Sequence, residues 1–215
     1  MTDTGATTDG SLDPTDAQRA DARRNRQRII DAARAVFARD GLNASMASIA
    51  REAGVGKATV SRHFTDPHQL IEQVFADRMQ TYVDLTEAAL AEPDPWSAFT
   101  AYVWALCRMQ ADDRGFADLL TLSMPSSGDH QDKHLVAYEG FQTVIERAKA
   151  SGSLRDDFES ADLVVLLMAN VGVLTASGPE APDSWRRLVG QLIRAYAGPS
   201  APDVELPEAP ASDEL

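Results

Sequence analysis

Residues 45–64, SMASIAREAGVGKATVSRHF, carry the pattern of two short helices joined by a tight turn. Ile49 and Ala50 give the first helix a small apolar face that lets another helix approach closely. Gly54 stands where the chain must turn sharply, and glycine alone takes positive φ there without steric cost. Val55, Val60 and Phe64 then supply the anchors that hold the second helix across the first. Its outward positions are Lys57, Ala58, Thr59, Ser61, Arg62 and His63, and all but Ala58 can hydrogen-bond phosphates or base edges. This pattern predicts a helix-turn-helix, a module whose second helix enters the DNA major groove.

The net charge of −13 over 215 residues argues against nucleic-acid binding until it is divided along the chain. Residues 17–64 hold ten Arg or Lys against four Asp or Glu, a surplus of +6, so the remainder carries −19. A basic module on an acidic body is electrostatically oriented, because only one end can approach a phosphate backbone. The alternative, a solvated arginine face on an ordinary helix, loses ground beside a helix-turn-helix.

The length fits one large domain or two small ones with a sizeable core. A single cysteine, Cys107, excludes an internal disulfide and a cysteine-based zinc site. No basic start followed by an apolar run is visible, and the longest apolar stretch, 163–176, is broken by Asn170. It falls short of the roughly 20 residues a membrane span needs. A cytoplasmic protein without a membrane partner is expected.

Four regions follow from composition and periodicity. Residues 1–16 hold almost nothing to bury and are expected to be a disordered arm, and 198–215, rich in proline and acid, a disordered acidic tail. Residues 17–66 form the DNA-binding head and 67–197 a helical body. Ile29, Ile30, Ala33, Val36 and Phe37 make one stripe on a first helix from about Arg19 to Arg39, which Gly41 ends. Ser45 is an N-cap, and Asp66-Pro67 restarts a long fourth helix. Further helices are expected near 95–112, 114–123, 132–151, 160–177 and 183–197, with no alternating strand. The fold class is therefore all-α: a three-helix head and about six helices in the body.

A basic first helix, this helix-turn-helix, and His63-Phe64 leading into a long fourth helix resemble the TetR (tetracycline-repressor-like) family of bacterial regulators over residues 23–75. The resemblance implies a homodimer that binds a palindromic operator in double-stranded DNA and releases it when a small molecule enters the body. Two features depart from the family pattern. Ser61 stands where a tyrosine usually reaches a phosphate, and Pro67-His68 where a basic residue usually opens the fourth helix. Ala47 also replaces a residue that is often basic. Fewer phosphate contacts mean weaker, less salt-sensitive binding. Arg23, Arg24 and Arg26 are therefore candidates to reach phosphates or the minor groove, with a frayed, solvated arm as the alternative. Ser45 and Ser48 are candidate phosphate contacts, because a helix start presents free N–H groups. Lys57 can contact phosphate or a guanine edge, and Arg62 has the chemistry for bidentate guanine recognition.

In the body, large side chains concentrate in 95–124. As a set, Trp96, Phe99, Tyr102, Met109, Phe116 and Met124 are candidate walls of a ligand cavity, with Tyr138 and Phe141 facing them. Asn170 is the lone amide in an apolar helix; a ligand, a dimer mate and a neighbouring carbonyl are all open as its partner. The implied effector is small and largely apolar. The last two helices carry apolar stripes at helical spacing: Leu163, Leu167 and Leu174, and Trp185, Leu188, Val189, Leu192 and Tyr196. These are the candidate dimer interface, which the resemblance makes a four-helix seam. His130 and His134 stand i, i+4 near Asp129 and Asp132, yet the segment reads as a solvated helix start and no metal or cofactor is expected. The leading function is a ligand-released transcriptional repressor and not an enzyme. The alternatives are an activator or effector-independent regulator, and a helical enzyme or carrier.

Overall fold

The computed structural model describes residues 14–121, 129–177 and 183–210. Among these residues it holds nine helices and no strand beyond one isolated bridge, Leu154 to Ala197. The head consists of α1 (Pro14–Asp40), α2 (Met46–Glu52) and α3 (Lys57–His63). The body consists of α4 (Pro67–Ala91), α5 (Pro95–Asp112), α6 (Arg114–Thr121), α7 (Asp129–Ala150), α8 (Ser160–Ala176) and α9 (Ser184–Tyr196).

Local chemistry sets these boundaries. Gly41 ends α1 at φ +75°, with its N–H donating to Phe37 O at 2.9 Å. Ser45 caps α2, its Oγ accepting from Ser48 N at 3.1 Å. Asp66 and Asp94 cap α4 and α5 in the same way, each followed by a proline whose fixed φ suits the first helical position. Glu159 and Asp162 form a reciprocal capping box on α8.

Head and body share one continuous core. Phe37 of α1 stacks on Phe75 of α4 at 6.0 Å, and Phe75 lies 6.2 Å from Phe116 of α6. Gly115 permits this contact: a Cβ there would stand 2.9 Å from Phe37 Cβ and 3.0 Å from its carbonyl oxygen. Asp118 of α6 accepts from Leu42 N at 3.0 Å, tying α6 to the turn between α1 and α2. In the body, Gly140 lets α7 close on α4, since a Cβ would meet Thr86 Cγ2 at 2.3 Å.

Three expectations need correction. Helix α1 starts at Pro14, so residues 14–16 belong to it and not to a disordered arm; the rest of that arm, 1–13, lies outside the described residues. Of the expected tail, residues 211–215 lie outside the described residues, and 198–210 do not leave the body as a free tail. Gly198 N donates to Ser153 O at 2.8 Å and Ser200 N to Gly152 O at 3.0 Å. The chain then runs back along α9, where Arg187 donates to Pro207 O and Gly190 leaves room for the Pro207 ring. Composition misread this segment, because backbone hydrogen bonds and a glycine-sized groove hold it in spite of its polar side chains.

The third correction concerns the dimer stripe. Leu163, Leu167, Trp185 and Val189 are buried within the subunit, and Trp185 packs edge-on against Trp104 of α5 at 6.0 Å. Leu174, Leu192 and Tyr196 are half-buried against the core, and Leu188 is half-buried. The outward face of α8 is instead Val164, Val165 and Met168, which are 47%, 63% and 53% exposed, with Ala169 and Gly172 beside them. Helix α8 is apolar on nearly every side, so spacing alone could not say which stripe faced in.

Candidate nucleic-acid interface and ligand cavity

The helix-turn-helix forms as its residues dictate. Ile49, Ala50, Val60 and Phe64 are buried in the head. Gly54 takes φ +64°, and Val55 N closes the turn on Ala50 O at 3.0 Å. Arg28 of α1 donates from Nη2 to Ala53 O at 2.8 Å and so latches the same turn, a role that spacing did not reveal. On α3, Lys57, Ala58, Ser61 and Arg62 are exposed, while Thr59 and His63 are half-buried. Arg62 Nη2 lies 3.5 Å from Thr59 Oγ1, which leans the guanidinium back along its own helix. Ser45 Oγ and Ser48 Oγ share a hydrogen bond of 2.9 Å at the start of α2.

The arginine-rich arm divides. Arg23 is exposed, and Arg24 pairs with Asp21 one turn earlier. Arg26, expected to reach phosphate, lies 4.9 Å over the Phe64 ring and donates to Gln73 Oε1 at 3.3 Å. It braces α3 against α4, because a guanidinium finds an aromatic face and an amide within its own fold.

The body holds a cavity of about 120 Å³, open to solvent at one side. Tyr82 comes from α4, Tyr102 and Leu106 from α5, and Leu120 from α6. Helix α7 adds His134, Tyr138 and Phe141, and α8 adds Ser160, Leu163, Val164 and Leu167. Of the expected wall residues, Tyr102, Tyr138 and Phe141 meet here. Trp96, Phe99, Met109 and Phe116 do not: they are core, with Phe99 packed edge-on to Phe158 at 5.2 Å and Trp96 stacked on Phe99 at 5.8 Å. Met124 lies outside the described residues.

Asn170 is also not a wall residue. Its amide donates to Cys107 O at 3.2 Å and Gln110 Oε1 at 2.9 Å, pinning α8 to α5. The cavity residues that sequence reasoning missed are Tyr82, Leu106, Leu120, His134, Ser160 and Val164, together with Leu163 and Leu167, which it placed at the dimer seam. His134 had drawn notice only for its spacing from His130, whereas its position opposite Tyr82 on another helix is a fact of packing.

Burial sets the protonation states in the cavity. It lowers the His134 pKa from the ordinary 6.5 and raises those of Tyr82 and Tyr102 above 10, so all three are neutral at pH 7. His130, fully buried with neither ring nitrogen hydrogen-bonded, is also pushed down chiefly by desolvation. Burial pushes the Cys107 thiol up, which makes it inert core. Among the described residues no group of three or more His, Cys, Asp or Glu stands close enough to hold a metal ion.

The chain is similar to known proteins. The sequence matches the profile of bacterial regulatory proteins of the tetR family over residues 29–74. It matches that of the C-terminal domain of SbtR-like transcriptional regulators over residues 94–194. An HTH-type transcriptional regulator of Staphylococcus aureus (strain USA300) is 39% identical over 66 residues, 30% of this chain and 36% of that protein. The chain thus spans about a third of that curated relative's length. A TetR transcriptional regulator from Streptomyces coelicolor is 30% identical, with 81% of this chain and 99% of that one covered and a TM-score of 0.49. A gamma-butyrolactone receptor described as ArpA-like superposes with a TM-score of 0.58 at 18% identity, covering 84% of this chain and 91% of its own, which is a likeness of fold.

A helix-turn-helix head on a helical body defines the class as a DNA-binding transcriptional regulator. The chain belongs to the TetR family of bacterial regulatory proteins.

Proposed function

We propose that the chain is a repressor that binds a palindromic operator as a homodimer and is released when a small molecule fills the body cavity. One observation carries the DNA-binding part: Ile49, Val60 and Phe64 are buried together, which leaves Lys57, Ser61 and Arg62 projecting outward from α3. The surplus of basic residues in this head, on a chain of net charge −13, supports one mode of approach to DNA. The exposed Val164, Val165, Met168 and Gly172 face supports pairing of two subunits through α8, since water-exposed apolar strips of this kind favour association. Two-fold pairing would space two recognition helices for half-sites about 34–36 Å apart.

Helix α6 supports the link between cavity and head. Leu120 lines the cavity, whereas Asp118 and Gly115 on the same two turns hold Leu42 and Phe37 of the head. A molecule that prefers one position of α6 shifts the population of head arrangements, and operator affinity follows.

The test is selection of genomic fragments by the purified chain, followed by titration of the enriched sequence. A short palindrome is the expected result, and its absence would overturn the operator reading. Lys57→Ala should weaken binding to every sequence about tenfold, because it removes a phosphate contact, and Thr59→Ala should mainly relax base preference. Equal, sequence-independent losses from both would remove that division of labour.

A further inference from the structure

We propose that the cavity takes a neutral, ring-shaped molecule bearing one hydroxyl or carbonyl oxygen, bound between stacked aromatic walls and hydrogen-bonded by the hydroxyl of Tyr102 and Nδ1 of His134. This names the effector class for the regulatory reading above and rests on it.

Shape is the first argument. Tyr102 stacks on Phe141 with centroids 4.4 Å apart, and Tyr82 stacks on His134 at 6.0 Å. Two stacked pairs drawn from three helices make flat walls, and flat aromatic walls are best filled by another ring.

The polar atoms say what the ring carries. Tyr102 Oη and His134 Nδ1 are both buried without a hydrogen bond, and Tyr102 is only 2% exposed. The hydroxyls of Tyr82 and Thr86 stand close to Tyr102 Oη, but their effect on the phenol is small beside that of burial, and neither makes a full hydrogen bond with it. An unpaired buried polar group is costly, and a ligand oxygen repays that cost. The contrast lies at Tyr138 and Ser160, whose hydroxyls share a hydrogen bond of 3.2 Å while Gln142 donates to both. Those groups are already satisfied and ask nothing of a ligand.

Charge is the third argument. Among the described residues no Asp, Glu, Lys or Arg lines the cavity. A carboxylate or phosphate placed there would be desolvated with no cation beside it. Burial also keeps Tyr102 a phenol and His134 an uncharged imidazole, so the two offer dipoles and no charge.

The test is calorimetric titration of the full chain with 2-naphthol, naphthalene and 2-naphthoate, which share one ring system and differ in the oxygen function. The alcohol should bind at least about tenfold tighter than either of the others, the size of effect expected for filling an unmet hydrogen bond. Tyr102→Phe should lower 2-naphthol affinity about tenfold and leave naphthalene within about twofold. Its thermal midpoint should fall little, because the hydroxyl it removes makes only weak contacts with Tyr82 and Thr86. His134→Phe should give a second, independent loss for the alcohol. Equal affinity for all three compounds, tighter binding of the carboxylate, no binding of any, or unchanged 2-naphthol binding by both variants would overturn the proposal. Operator retention is read in the same samples. Binding of 2-naphthol without release of operator would overturn the effector-release reading and leave the ligand class standing.

Discussion

Gly54 and Arg28 show how much of the DNA-binding head depends on single side chains. A Cβ at Gly54 would be forced to φ +64° and would meet Arg28 Nη2 at 3.2 Å. Gly54→Ala should therefore cost about 1–2 kcal/mol, lowering the thermal midpoint by several degrees, with a parallel loss of operator affinity. Arg28→Met keeps the stem but leaves Ala53 O without its donor, and a smaller loss of the same kind is expected. His130 and His134 make a pH prediction. Both have pKa values below the ordinary 6.5 in the folded chain, so the unfolded chain binds their protons first as pH falls. Stability should be unaffected by them above pH 7 and decline as pH drops through and below 6.5. Thermal melts at pH 7.5 and 5.5 check the sign: replacing both with Phe should flatten the decline, and an unchanged slope would show that these rings do not drive it.

Among the elements, α6 is the one that joins the head's first turn to the cavity. It is eight residues long, yet its residues touch the α1–α2 turn, the Phe37–Phe75 stack and the ligand cavity. Asp118→Ala leaves Leu42 N without an acceptor and loosens one end of the helix. We expect operator affinity to change by threefold or more while cavity binding of 2-naphthol stays unchanged, a separation that titrations of each partner resolve. If operator affinity does not move, α6 is packing alone and the coupling must run elsewhere. Gly115→Val is the severe version: its side chain would push into Phe37 Cβ and Phe37 O, and a destabilisation of about 1–3 kcal/mol is expected from overpacking.

At the scale of the whole molecule, the outward strip of α8 is the proposed pairing surface, and the returning C-terminal segment packs along α9 of its own subunit. Val165 and Met168 are more than half exposed, so Val165→Glu with Met168→Glu should fold normally. Sedimentation should then show monomers, with a large loss of operator affinity; retained dimers would move the interface off α8. The segment 198–210 caps the loop at Gly152 and fills the groove at Gly190, which gives it a structural role. A chain ending at residue 197 should lose several degrees of thermal stability, whereas an unstructured tail could be removed without effect.

The helix-turn-helix, the caps and the all-helical character were legible in residue order, because each is a local matter. Gly54 needs its turn, Ser45 and Asp66 need their helix starts, and Ile49, Val60 and Phe64 repeat at helical spacing whatever surrounds them. The sequence alone also determined the electrostatic division between a basic head and an acidic remainder. Tertiary structure decided everything that depends on two elements meeting. It turned Leu163 and Leu167 inward on a helix apolar all round, drew Arg26 onto Phe64, and gave Asn170 its partners on α5. It assembled the cavity from five helices, so that Tyr82 and His134, 52 positions apart, stack face to face. Periodicity says that a face is apolar, but which neighbour covers it is settled only when all helices compete to bury their faces at once.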